Sequence, residues 1–191
     1  MSNIAKAFDH GKAFIPFITC GDPSLEVTEK LVLEMADAGA DLIELGIPFS
    51  DPTAEGPVIR NANLRALSGG VTVSEIFEMV KRLRQSVKVP MVFMTYANVV
   101  FSCGLKSDSL NTNVFKSEPQ NGNSEIFISK CSEIGIDGLI LPDIPFEEKE
   151  EFEPICRKYG LDLISMIAPT SDHRIAMVAK EASGFIYVVS S

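Results

Sequence analysis

Ala38-Gly39-Ala40-Asp41-Leu42-Ile43-Glu44-Leu45-Gly46 decides the fold. Its first residues close a predicted helix in which Leu25, Thr28, Leu31, Val32, Met35 and Ala36 recur at helical spacing after Ser24, a predicted N-cap, with Gly39 as the stop. Its last residues are a short apolar run that reads as a strand. The same joint recurs at Ile134-Gly135-Ile136-Asp137, between a helix predicted over 127–134 and a strand predicted over 138–143. A helix that turns at glycine directly into an apolar strand, twice, favours a (β/α) barrel repeat over a doubly wound sheet.

Working outward, strands are predicted at 13–19, 91–95, 161–167 and 185–189. A long loop follows Gly46 as far as Gly70, where Thr72 or Ser74 caps a helix carrying Ile76, Phe77, Val80 and Leu83. Helices are also predicted over the acidic stretch 147–159 and from Thr170-Ser171-Asp172 to Glu181. The architecture is therefore α/β with six strands in a single domain spanning 1–191. Ser107 to Asn123 is rich in Ser and Asn and follows neither period, so 106–124 is predicted to be a flexible surface insertion.

Composition sets the boundaries. With 191 residues, 46% of them hydrophobic and 23% charged, the chain can bury a sizeable core, which excludes disorder throughout. Seventeen Lys+Arg against 26 Asp+Glu give a net charge of −9, which repels nucleic acid and anionic membrane surfaces. No apolar run approaches the roughly 20 residues that span a bilayer, and the first residues lack a signal-peptide pattern, so a cytoplasmic location is expected. Cys20, Cys103, Cys131 and Cys156 are far apart, and His10 and His173 have no ligand-like neighbours. Neither a disulfide framework nor a metal site is expected, and the cysteines read as reduced, half-buried thiols.

The chemistry-bearing stretch is Glu44 to Pro57. Glu44 lies one residue before the end of an apolar strand, where (β/α) proteins place catalytic groups. Strand parity points it either into the barrel or toward the helices. Both places are drier than water, so its carboxyl is expected to titrate high and to exchange protons near neutrality; the alternative is a strand-end glutamate that reaches solvent or pairs with an Arg. Asp51 and Glu55 follow, held among Pro48, Pro52 and Pro57, whose fixed φ restricts the loop. These carboxylates suit proton transfer, Mg²⁺ binding or a solvated acidic loop, and Asp22 and Asp51, each before a proline, also read as turn residues.

Phe14 to Pro23, Glu44 to Pro57, Asn61-Ala62-Asn63, Met94-Thr95-Tyr96-Ala97-Asn98 and Leu141-Pro142-Asp143-Ile144-Pro145 together resemble the tryptophan synthase α subunit family. That resemblance implies an eight-fold (β/α) TIM barrel, about six of whose units fall within this chain. It implies a lyase of tryptophan biosynthesis that cleaves indole-3-glycerol phosphate to indole and glyceraldehyde 3-phosphate by a retro-aldol step. By the same resemblance Glu44 is the general acid/base, and Glu55 stands where the family has an aspartate that relieves charge at the indole nitrogen. Phe17, Ile59, Tyr96, Ile140 and Tyr187 line the indole pocket, and Pro48, Asp51 and Asp143 face the β subunit of an α2β2 heterotetramer. No metal or organic cofactor is implied for this step, with pyridoxal phosphate expected only in the β subunit.

Three departures accompany the resemblance. Glu55 carries one methylene more than the family's aspartate, a displacement expected to slow turnover and to be relieved by Glu55→Asp. The Ser/Asn-rich stretch interrupts the third helix. The chain ends at Ser191, before the family's glycine-containing loop and phosphate-binding units, so little turnover is expected of it, and its first and sixth strands are expected to be open edges. A non-catalytic module that retains only β-subunit contact is the alternative reading, and a fragment without function of its own is a third.

Overall fold

The computed structural model describes residues 2–53, 55–103, 121–168 and 172–189. In chain order the strands are β1 (Phe17–Thr19), β2 (Ile43–Gly46), β3 (Met91–Met94), β4 (Gly138–Ile140), β5 (Asp162–Leu163), β6 (Ser165–Ile167) and β7 (Ile186–Val188). The helices are α1 (Leu25–Asp37), α2 (Pro57–Ser68), α3 (Val73–Leu83), α4 (Ala97–Ser102), α5 (Asn121–Glu133), α6 (Glu153–Tyr159) and α7 (Asp172–Glu181), with short 3-10 helices at Ile4–Phe8 and Phe146–Glu151.

All strand pairs are parallel and follow chain order: β1 to β5 form one sheet, and β6 pairs with β7. The predicted fifth strand is one extended run broken at Ile164, whose first half pairs back to β4 and whose second half pairs forward to β7. Among the described residues β1 pairs with β2 and β7 pairs with β6.

The sheet's two faces are distinct. Leu42, Val92, Ile140 and Ile164 point to the inner face, which Ile4 and Ala7 close from below. Ile43, Leu45, Met91, Phe93 and Leu139 point outward against helix residues such as Val32, Ile76, Phe77, Val80 and Phe127. Phe77 stands between Phe93 and Phe127, with ring centroids at 5.7 and 5.4 Å, tying β3 to α3 and α5. Truncating such a buried ring typically costs about 3–5 kcal/mol.

Local rules account for most boundaries. Ser24 accepts a hydrogen bond from the Val27 amide, and Thr72 with Glu75 forms a reciprocal capping box. Gly39 and Gly135, the two joints, adopt φ of 94° and 84°, a region that disfavours other residues.

Four expectations are corrected and one further helix, α4, is found. The loop between Gly46 and Gly70 contains α2, begun by Pro57 at its first helical positions. The short helix α4 follows β3 directly. The acidic helix is two pieces that meet at Phe152, whose fully buried ring packs against Phe101. Helix α5 begins at Asn121, so the end of the predicted insertion is helical; Ser124 is buried and Asn123 donates to the Phe101 carbonyl. The rest of that stretch, 106–120, lies outside the described residues, as do the Ala54 position, Thr170-Ser171 and the His173 side chain. Finally, Cys20, Cys131 and Cys156 are fully buried rather than half-buried.

Candidate active site

Glu44 shares the inner face with Leu42 two residues earlier, so of the two orientations parity allowed, the structure has it point inward. Its neighbours in register are Phe17 on β1 and Val92 on β3, an apolar slot in which only 4% of the residue is exposed. Burial without a compensating cation among the described residues pushes its carboxyl from 4.5 up to about 7. Tyr187 on β7 lies within reach of its charge: burial, then the Glu44 carboxylate, raises the phenol. At Gly46 a side chain would meet the Phe17 ring at 2.6 Å, so glycine makes room for that ring beside Glu44.

The second acid is held differently. Glu55 precedes α2, and its carboxylate accepts hydrogen bonds from the Asn63 amide nitrogen at 2.8 Å and from the Tyr96 hydroxyl. Burial raises its carboxyl, and the two donors oppose that rise. Tyr96, 3% exposed, is the residue before α4, and its ring stacks on Phe49 at 5.0 Å. Phe49 and Glu55 both belong to the segment after β2, so that segment is fastened twice to Tyr96, at the end of β3.

Asp143, after β4, accepts from the Ala97 amide at 3.1 Å through both carboxylate oxygens. Burial raises its carboxyl and the Ala97 N–H opposes the rise. The loops after β2, β3 and β4 are thereby linked in series at the carboxyl end of the sheet.

The remaining predicted residues divide between these groups. Phe17 and Ile140 sit on the sheet, Ile140 fully buried on the inner face, and Ile59 is half-buried in the first turn of α2. Pro48 is buried and Asp51 exposed. Asp22 is the turn residue it was read to be, fixed by a two-point contact with Arg65 at 2.8 and 2.7 Å. Among the described residues no three His, Cys, Asp or Glu side chains converge as metal ligands. Asn63 and Phe49 hold functions in the site that their motifs do not announce. A buried Asn on a helix eight residues after an acid was the available signal for the first.

Residues 4–191 match the tryptophan synthase alpha chain family. The chain belongs to that family. It is 46% identical over 191 residues to the tryptophan synthase alpha chain of Lacticaseibacillus casei, of which it covers 65%. It is 47% identical over 186 residues to that of Alkaliphilus metalliredigens, covering 62%. It thus spans just under two thirds of the length of these relatives. The tryptophan synthase subunit alpha of Legionella pneumophila superposes with a TM-score of 0.82 at 34% identity, over 100% of this chain and 68% of that one. In the tryptophan synthase complex of Pyrococcus furiosus the TM-score is 0.79 at 33% identity, over 93% of this chain and 66% of the other. The parallel strands with outer helices are accordingly part of a TIM barrel.

Proposed function

We propose that this chain carries the acid–base chemistry of a lyase in tryptophan biosynthesis, the retro-aldol cleavage of indole-3-glycerol phosphate to indole and glyceraldehyde 3-phosphate. The observation that supports it most is Glu44: an inward carboxyl, buried with no cation beside it among the described residues, that holds its proton up to about pH 7. At neutrality it is present in both forms, as a group that first gives and then takes a proton must be.

In this reading protonated Glu44 delivers its proton to the indole carbon that bears the glycerol chain, and positive charge develops at the ring nitrogen. Glu55, ionised with the help of Asn63 and Tyr96, faces that charge and receives the N–H hydrogen bond. The Glu44 carboxylate then takes the proton of the adjacent substrate hydroxyl. The C–C bond breaks, its electrons return to the ring, and the hydroxyl carbon becomes the aldehyde. One proton has moved from oxygen to carbon, so the step balances with no cofactor in this chain.

The partner in this reading is a tryptophan synthase β subunit, which would supply pyridoxal phosphate for its own reaction. A Pyrococcus furiosus relative, 32% identical over 93% of this chain, is described in an a2b2 complex. Pro48, Asp51 and Asp143 are the proposed contact residues, and Phe17, Ile59, Tyr96, Ile140 and Tyr187 the proposed indole lining. No helix among the described residues is long and apolar enough to cross a membrane, and a cytoplasmic location belongs to the same proposal. Indole release from indole-3-glycerol phosphate, measured with and without β subunit, tests it: activity abolished by Glu44→Gln in a folded protein is expected. Absence of indole from the unaltered chain under both conditions, with β-subunit binding retained, would instead support the non-catalytic reading.

A further inference from the structure

We propose that Asn63 is a positioning residue for Glu55, its buried carboxamide anchoring the longer side chain so that the carboxylate keeps one aim. The inference deepens the proposed role of Glu55 and rests on it. Three observations carry it. Asn63 is 4% exposed and sits among Ala62 and Ala66 on the buried face of α2, where a polar side chain needs a partner. Its amide nitrogen donates to Glu55 Oε2 at 2.8 Å, a charge-assisted bond across eight residues. Tyr96 donates to the same carboxylate, so two donors from different elements fix a group on a loop.

The pair acts as a unit. An aspartate at position 55 would end one methylene short of Asn63 and lose that donor, so the gain in turnover expected from Glu55→Asp on length alone is forfeited. Asn63 and Glu55 are thus matched in reach in this chain.

The test combines a titration with a double-mutant cycle in the full chain. In Asn63→Ala the Glu55 carboxyl, followed by NMR, titrates at higher pH than in the unaltered protein, while Glu44 does not move. The acid limb of kcat/KM for indole release, assayed with β subunit, shifts upward with it, and kcat/KM falls about tenfold. In a Glu55→Asp background the same substitution changes kcat/KM little. Should Asn63→Ala fail to fold, Asn63→Asp, which keeps the volume and replaces the donor by an acceptor, shows the same upward shift. An unmoved Glu55 titration, or an equal Asn63→Ala effect on kcat/KM with Glu or Asp at position 55, overturns the proposal. The titration needs no turnover, so it judges Asn63 even if Glu44→Gln retains activity and the proposed reaction fails.

Discussion

Two carboxylates of this chain are almost equally buried, Glu44 at 4% and Asp137 at 6% exposure, and they are treated in opposite ways. Asp137, just before β4, meets Arg84 at 2.5 Å, accepts the Met91 amide at 3.1 Å, and receives the Asn3 amide and side chain at 2.9 and 3.2 Å. Arg84 spends its other donors on the Gly135 and Val89 carbonyls. Every partner at that end ties elements together: the N-terminal helix, α3, β3 and the joint after α5. Glu44 has no such set among the described residues. A compensated buried charge is a structural clasp; an uncompensated one costs stability, and such groups concentrate where chemistry is done.

The comparison breaks first on activity. Glu44→Gln keeps the shape and removes the proton exchange; on the proposed reading that is the loss of a general acid/base, which typically costs 10²–10⁴-fold, so indole release is expected to fall by about a thousandfold. Asp137→Asn leaves the site untouched and its activity loss tracks only the fraction unfolded. Indole release at matched folded fraction, followed by circular dichroism, checks both. Comparable losses in the two variants would erase the distinction.

It breaks next on stability. Arg84→Ala leaves Asp137 buried and unpaired, expected to cost about 3 kcal/mol, the lower end for a broken buried pair given that Arg84 is partly exposed. Urea melts measure it. Arg84→Lys recovers only part, since one ammonium cannot serve Asp137 and the Gly135 and Val89 carbonyls together.

The pH dependence of stability sharpens the same contrast. Glu44 titrates at about 7 in the fold against 4.5 when free, so the folded state binds its proton more tightly. Its contribution is fully favourable below pH 4.5, declines as pH rises, and levels off above about 7. Glu44→Gln is therefore nearly neutral at pH 4 and stabilising by up to about 3 kcal/mol at pH 8. Melts at the two pH values decide it; a variant equally stable relative to the unaltered chain at both would mean that Glu44 is compensated after all.

How much of this was legible in the sequence follows from the distances involved. The joints at Gly39 and Gly135 and the Ser24 cap depend on neighbouring residues and could be read directly. Helix α2 was missed because its pattern is inverted: the buried positions are Ala62, Asn63 and Ala66, while Val58 and Leu64 are exposed. Helix α4 was missed because Ala97–Ser102 is too short to show a period. In the site, the strand position and dryness of Glu44 were readable but its facing was not, since parity is blind to which side is the barrel. The Glu55 clasp is hidden for a related reason: pairing Asn63 with Glu55 requires the register of α2, which the sequence pattern does not show.

Asp143 lies between the two extremes and gives the smallest effect. It was assigned by resemblance to the partner interface, yet its carboxylate is engaged within the chain, accepting the Ala97 amide directly after Tyr96. Losing one such bond at an exposed residue is worth about 1 kcal/mol. Asp143→Ala is therefore expected to lower stability by about that much, and Asp143→Asn, which keeps an acceptor, by less. If the tether also steadies Tyr96, Asp143→Ala weakens the Tyr96–Glu55 contact, and indole release falls in the isolated chain as well as in its complex with β subunit. A loss seen only with β subunit would assign Asp143 to the interface alone and leave the Glu55 clasp independent of it.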